Sequence, residues 1–268
     1  MKDLIQKVII IALDAGKAVN NIFLKINTVC NTKILLKEKL DGSPVSIADE
    51  NSQKIIFSGL SKLVPSYPIV SEEDSNSFKF LKKFGNFWLI DPLDGTKEFL
   101  SKSSHFTINI SLISDGLAIL GVVYAPALKQ IYFGGRNFGS FLQIGNTIEK
   151  IQVLKDISVR KKIQILISRR HINEETKHFI QKFDSHEKVK VGSSLKFCLI
   201  ASGQADLYPR LGLTSQWDTA AGQAILEAAG GYVNKLDGRP LRYGFKETLN
   251  PYFIASSSNW YFKNQYEN

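Results

Sequence analysis

Phe87-Trp88-Leu89-Ile90-Asp91-Pro92-Leu93-Asp94-Gly95-Thr96 is the stretch on which the reading of this 268-residue chain turns. Four apolar residues predict a buried strand, and two carboxylates follow where that strand should end. Pro92 biases Asp91 towards extended backbone and withholds an N–H, while Gly95 permits close approach of the main chain. Asp91, Asp94 and the Leu93 carbonyl can therefore turn towards one point, and such oxygens suit a hard divalent cation. Read alone, the segment is also compatible with an ordinary acidic turn at Asp94-Gly95.

Two further acidic segments gain meaning beside this one. Ser71-Glu72-Glu73-Asp74 again follows a short apolar strand, Ile69 and Val70. By itself it reads equally as a solvated loop. Trp217-Asp218-Thr219-Ala220-Ala221 places Asp218 at the opening of an alanine-rich helix, where a carboxylate can serve simply as a cap. The same alternative holds for Asp49, three residues after Ser46 and so at capping-box spacing in a helix whose apolar face is Ile55, Ile56 and Leu60.

Around these segments the pattern is that of a folded α and β protein. Leu4, Val8, Ile11, Ala15, Val19 and Ile22 recur at helical steps and predict an amphipathic opening helix. Strands are expected at 106–113 and 117–124, joined by Ser114-Asp115-Gly116 as a hairpin, with more sheet at 131–133 and 138–144. Beyond about residue 157 strands at 163–167, 188–191 and 205–208 alternate with helices at 174–183, 195–201 and 219–229, the last closed by Gly230-Gly231. Two packed halves are expected, 1–157 as α+β and 158–268 as α/β, with no flexible tether between them.

Composition narrows the function classes. A chain with 44% hydrophobic residues can bury a sizeable core, so disorder is excluded as a reading. The longest aliphatic run, 8–13, is too short to cross a bilayer, and no secretory leader is recognisable. Cys30 and Cys198 form no metal-ligand pattern, and Cys198 among Leu195, Phe197, Leu199 and Ile200 reads as a buried inert thiol, so a reducing cytoplasm fits. The net charge of +9 favours anionic partners. No aromatic-interleaved basic stripe argues for nucleic acid, and Arg160, Lys161 and Lys162 read as a solvated approach to the following strand.

Taken together, the motifs resemble the inositol monophosphatase-like, lithium-sensitive phosphatases: Trp-x-x-Asp-Pro-Leu-Asp-Gly-Thr at 88–96 and Trp-Asp-Thr-Ala-Ala-Gly at 217–222. Ser-Pro-Val-x-x-Ala-Asp at 43–49, Ser-Glu-Glu-Asp at 71–74, Asp-Gly-Thr-Lys-Glu-Phe at 94–99 and Gly-Ser-Ser-Leu-Lys-Phe-Cys at 192–198 make the chain most similar to the CysQ-type 3'(2'),5'-bisphosphate nucleotidases. The resemblance implies a layered αβαβα sandwich, the sugar-phosphatase type of α+β and α/β fold. It implies two or three magnesium ions held by Glu72, Asp91, the Leu93 carbonyl, Asp94 and Asp218. Thr96 and Asp49 would orient the attacking water, with Glu72 counted among the catalytic groups, and Gly95-Thr96 would cradle the phosphate.

For the nucleoside end the resemblance implies contacts from Ser193, Lys196 and Arg210, which join Glu72, Leu93, Asp94, Gly95, Thr96 and Asp218 as substrate-binding positions. Lys196 as an exposed helix lysine and Arg210 as a surface arginine are the plainer alternatives, and His171 is a further, weaker candidate. The expected reaction is magnesium-dependent hydrolysis of 3'-phosphoadenosine 5'-phosphate to AMP and phosphate, with the 5'-phosphosulfate as a second substrate. Inositol monophosphate or sugar-phosphate hydrolysis is the alternative within the enzymes, and a non-catalytic nucleic-acid or membrane binder is the alternative outside them. Charge is compatible with peripheral contact at the inner face of a membrane, no amphipathic anchor is evident, and both monomer and homodimer remain open.

Overall fold

The computed structural model describes residues 2–28, 36–38, 44–82, 85–156, 159–169 and 172–259. Cys30, Ser43, His171 and the expected boundary between the halves at 157 and 158 lie outside the described residues. The opening helix α1 (Lys2–Thr28) presents Ile5, Val8, Ala12, Ala15 and Val19 inward, as its spacing requires. A short antiparallel pair, β1 (Leu36–Glu38) and β2 (Pro44–Ser46), leads into α2 (Ile47–Leu60).

A seven-stranded sheet follows in chain order: β3 (Ile69–Ser71), β4 (Asn86–Asp94), β5 (Thr107–Ser114), β6 (Leu117–Ala125), β7 (Gln130–Gly135), β8 (Gly139–Ile144) and β9 (Thr147–Ile151). Only β3 and β4 pair in parallel; the remainder is a meander. The short helix α3 (Thr96–Leu100) sits between β4 and β5. The later sheet has five strands, ordered β11-β10-β12-β14-β13: β10 (Ile163–Ile167), β11 (His186–Lys190), β12 (Leu207–Arg210), β13 (Tyr232–Lys235) and β14 (Phe253–Ser256). Helices α4 (Glu174–Ile180), α5 (Leu195–Ala201) and α6 (Gln216–Ala228) alternate with these strands.

Three apolar clusters define the layers. One joins α1 and α2 to one face of the large sheet through Val8, Val19, Ile56, Trp88, Ile110 and Val122. The second joins the opposite face to α5, α6 and the small sheet through Leu89, Val123, Tyr132, Phe197, Ala221 and Phe253. The third seats α4 on the far side of the small sheet through Ile165, Leu207, Phe179 and Ile254. The order is thus helix, sheet, helix, sheet, helix, the αβαβα sandwich that the motifs imply. Burying both faces of β4 explains its near-continuous apolar run.

Several local expectations are corrected. The strand at 87–90 does not stop at Asp91: β4 runs on to Asp94 across a bulge, with Asp91 opposite Asn109 and Asp94 opposite Thr107, so that Pro92 and Leu93 face one residue of β5. The missing N–H of Pro92 falls inside that irregularity, where no ladder bond is lost. Helix α6 begins at Gln216, before the expected 219, because Ser215 takes the N-cap position and makes Asp218 its third residue. Strands β9, β13 and β14 carry too few periodic residues to have been expected. Lys161 and Lys162 are exposed as expected, but Arg160 is half-buried: its guanidinium lies 3.1 Å from the fully buried Asp206 carboxylate and also donates to the Gly203 carbonyl.

Candidate active site

Parallel pairing of β3 and β4 sets Ser71 beside Ile90, so the next residues, Glu72 and Asp91, emerge side by side. The Glu72 N–H donates to the Ile90 carbonyl at 3.3 Å, which continues the pairing one residue further. Asp91 is buried, and its Oδ1 accepts the Leu93 N–H at 3.0 Å across the bulge. Ser52 of α2 donates to the Pro92 carbonyl at 2.7 Å and anchors the same loop from behind. Asp218 arrives from the opposite layer, held by the capping box of α6 and by Thr214, whose hydroxyl donates to its Oδ2 at 2.7 Å.

Carboxylate oxygens of Glu72, Asp91 and Asp218 all lie within 4.8 Å of one another. Burial, followed by repulsion from Glu72, Asp94 and Asp218, holds Asp91 well above the usual carboxylate range. Burial with the charges of Asp94 and Glu72 pushes Asp218 up to about 7. Such crowding of like charges in a desolvated place is costly unless a cation accompanies it, and an all-oxygen set matches a hard divalent ion. The residues present therefore fit a divalent metal. The Asp218 carboxylate that caps α6 also faces Glu72 and Asp91, so the cap leaves it placed within the acidic cluster.

Asp94 is fixed differently. Its Oδ2 accepts the Ser194 N–H at 2.7 Å and Asn109 Nδ2 at 3.3 Å, and Thr107 Oγ1 stands 3.4 Å away. Ser194 Oγ donates to Asn109 Oδ1 at 2.6 Å and lies 2.8 Å from Thr107 Oγ1. Burial raises Asp94 to about 6, against the opposing pull of Lys196 and of the Ser194 and Asn109 hydrogen bonds.

Gly95 adopts φ 88°, and a Cβ there would stand 3.2 Å from the His105 carbonyl, so the turn into α3 requires glycine. Thr96 follows at once, with Oγ1 3.3 Å from both Asp49 Oδ1 and the Leu93 carbonyl. Asp49 is 1% exposed, so it is no surface cap, and its carboxylate meets the Thr96 hydroxyl.

Beside the carboxylates opens a cavity of about 240 Å³, into which Asp94, Gly95, Asp218, Ser193, Lys196 and Arg210 all face. Lys196 is 5% exposed, which overturns the exposed-lysine alternative. Its Nζ donates to the Ser193 carbonyl at 2.7 Å and to the Val191 carbonyl at 3.3 Å, and stands 5.0 Å from the Tyr208 ring centroid. Burial lowers its pKa to about 8, with Asp94 pulling the other way. Arg210 donates from Nη1 to Ser168 Oγ at 3.1 Å and from Nη2 to the Leu213 carbonyl. Ser193 holds φ 51°, a strained value for a residue with a side chain, and its buried Oγ has no hydrogen-bond partner among the described residues. The structure thus brings Asp49, Glu72, Asp91, Leu93, Asp94, Gly95, Thr96, Ser193, Lys196, Arg210 and Asp218 to one place.

Thr107, Asn109, Ser194, Ser52 and Thr214 were not picked out from sequence. A signal was present for the first two: Thr107, Asn109 and Ser111 form a polar alternation on an otherwise apolar strand, and all three are buried. The sequence profile of the inositol monophosphatase family matches residues 5–265.

The chain belongs to the inositol monophosphatase family.

Within that family it is 44% identical over 218 residues to the 3'(2'),5'-bisphosphate nucleotidase CysQ of Salmonella typhimurium, covering 80% of this chain and 86% of the relative. The CysQ nucleotidase of Buchnera aphidicola is also 44% identical, over 82% of each chain. The crystal structure of CysQ from Bacteroides thetaiotaomicron, described as a bacterial member of the inositol monophosphatase family, superposes with TM-score 0.81 at 33% identity, covering 94% of this chain and 96% of that one.

Proposed function

We propose that this inositol monophosphatase family member is a magnesium-dependent 3'(2'),5'-bisphosphate nucleotidase, which hydrolyses the 3'-phosphate of 3'-phosphoadenosine 5'-phosphate to give AMP and phosphate. The observation that carries this reading is the cluster of Glu72, Asp91 and Asp218 oxygens within 4.8 Å, beside a cavity lined by Asp218 together with Lys196 and Arg210. Identity to named nucleotidases at 44% supports the choice of substrate class.

Glu72, Asp91, the Leu93 carbonyl, Asp94 and Asp218 would hold two or three magnesium ions. When bound, these supply neutralisation of the ester's charge and lower the pKa of water. Thr96, backed by Asp49, directs the attacking water, since its hydroxyl proton can go to Asp49 Oδ1 or to the Leu93 carbonyl and leave the oxygen lone pairs to accept from water. The Gly95-Thr96 turn lets the phosphate approach main chain without a side chain between. Asp218, which comes from the other layer, would serve the leaving-oxygen side. Lys196 and Arg210 serve the nucleotide, Lys196 as a buried charge and Arg210 as a planar fork. Most of the carboxylates come from the half 1–157 and Asp218 with the nucleotide contacts from 158–268, so closure of the site depends on both. A reducing cytoplasm is the compartment this reading implies, consistent with the free, buried thiol of Cys198. No helix among the described residues is long and apolar enough to cross a membrane.

The test is phosphate release from 3'-phosphoadenosine 5'-phosphate, AMP, inositol 1-phosphate and fructose 1,6-bisphosphate, with and without magnesium. Selective, magnesium-dependent release from the bisphosphorylated nucleotide is expected. Preference for inositol or sugar phosphates would keep the carboxylate roles and overturn those of Ser193, Lys196 and Arg210.

A further inference from the structure

Three cationic side chains line the cavity, and they are not equivalent. Lys196 is buried and already donates to two carbonyls. Arg210 is engaged with Ser168 and with the Leu213 carbonyl. Arg169, which follows Ser168 just beyond β10, is exposed at the mouth. Among the described residues its guanidinium makes one hydrogen bond, long and to a neutral acceptor: Nη1 lies 3.4 Å from His105 Nδ1. Such a bond is near the limit of a useful one.

His105 precedes β5, whereas Arg169 and Gly192 follow strands of the small sheet. Its Nδ1 also accepts the Gly192 N–H at 3.4 Å, so the neutral ring carries its proton on Nε2. Burial, then the charges of Arg169 and Lys196, keep this histidine below its ordinary pKa, in agreement with an accepting nitrogen. The contact is closely built. A Cβ on Gly192 would stand 2.7 Å from the His105 carbonyl and 2.9 Å from Glu98 Cγ, so no other residue fits between them. One ring nitrogen therefore contacts both the Gly192 N–H and the arginine at the mouth and restrains each weakly.

Resting on the nucleotidase reading above, we propose that Arg169 is a specificity-determining residue that receives the phosphate not hydrolysed, and that His105 is its positioning residue. A substrate with two phosphates presents one to the carboxylate cluster and must find a cation for the other. Lys196 and Arg210 keep spare N–H donors but are tied into the cavity wall by bonds to neutral oxygens, whereas Arg169 is held by one long bond and stands exposed. Arg169 exchanges a weak bond to a neutral nitrogen for a forked, charge-assisted pair with a dianion, and the exchange separates a bisphosphate from a monophosphate. His105 limits the volume that the guanidinium explores before substrate arrives, which reduces the entropy lost on binding.

The experiment compares 3'-phosphoadenosine 5'-phosphate with adenosine 3'-monophosphate, which offers the same scissile ester and no second phosphate. Arg169→Ala is expected to lower the ratio of kcat/KM between the two by roughly tenfold or more, through KM for the bisphosphate, as loss of a charged hydrogen bond implies. His105→Ala should lower the same ratio by a smaller factor, and His105→Asn, which retains an acceptor, should recover most of it. Calorimetry on AMP and adenosine gives a second readout independent of turnover: Arg169→Ala should reduce the preference for AMP over adenosine by the same factor. An unchanged kcat/KM ratio or an unchanged AMP preference overturns the proposal. Wild-type protein that hydrolyses neither nucleotide would instead overturn the nucleotidase reading, and the AMP measurement would still decide the role of Arg169.

Discussion

The two ends of the site are built on opposite electrostatic plans. At one end Glu72, Asp91 and Asp218 bring like charges together in a buried place, and the pKa values of Asp91 and Asp218 rise in consequence. At the other, Lys196 and Arg210 are each already bonded to neutral oxygens, with Arg169 at the mouth. The acidic end is frustrated until cations arrive, whereas the basic end is assembled in advance. Removing a group from the first end should therefore abolish chemistry and relieve strain in the metal-free protein. Removing one from the second should weaken binding and leave the chemical step largely in place.

The largest expected effect follows from neutralising the centre of the acidic end. Asp91→Asn keeps an acceptor for the Leu93 N–H yet loses the charge, so kcat should fall by roughly a thousandfold or more, several kcal/mol of transition-state stabilisation being at stake. Asn109→Ala comes next. It removes a hydrogen bond to Asp94 and the acceptor of Ser194, and steady-state kinetics should show a loss of about 10–100-fold, as for other groups that orient metal ligands. A wild-type rate from either variant would break the contrast at its acidic end.

At the basic end, Lys196→Met should raise KM for the nucleotide about tenfold with little change in kcat. Because burial lowers Lys196 to about 8, wild-type KM should itself climb as pH rises through about 8, and the variant's should not. A Lys196→Met enzyme that loses kcat and keeps KM would show that the lysine belongs to the chemistry.

The smallest effect is on stability. Asp94 at about 6 and Asp218 at about 7 hold protons in the folded, metal-free form that the unfolded chain has released above 3.8. More protons on the folded form mean that stability falls as pH rises through that window. Thermal unfolding in chelator should shift down by about 2–4 °C for each kcal/mol so lost between about pH 4 and pH 7, and magnesium should restore the difference. A metal-free melting temperature that rises over the same interval would contradict the account of the acidic end.

How much of this could be read from sequence depends on whether one segment carried the signal. Asp91-Pro92-Leu93-Asp94-Gly95-Thr96 declares itself because strand, breaker and carboxylates are contiguous, and the pairing of β3 with β4 then places Glu72 beside it. Asp218 and Lys196 were legible only through resemblance, since a capping aspartate and a helix lysine look the same in isolation. The structure adds what the local sequence lacks: Lys196 is 5% exposed, and Asp218 faces two other carboxylates. Ser194 and Asn109 went unseen because their meaning lies across 85 residues of chain, in a side-chain hydrogen bond between halves that no local pattern encodes. Strand β9, exposed along four of its five residues, lacks the apolar alternation that betrays a strand, and its place was set by the hairpin from β8.

Anomalous diffraction from crystals soaked in manganese, as a heavier stand-in for magnesium, tests the central claim most directly. The account predicts at least one peak among the Glu72, Asp91 and Asp218 carboxylates, lost in Asp91→Asn. A peak confined to other carboxylates, or none at this cluster at saturating manganese, would contradict it.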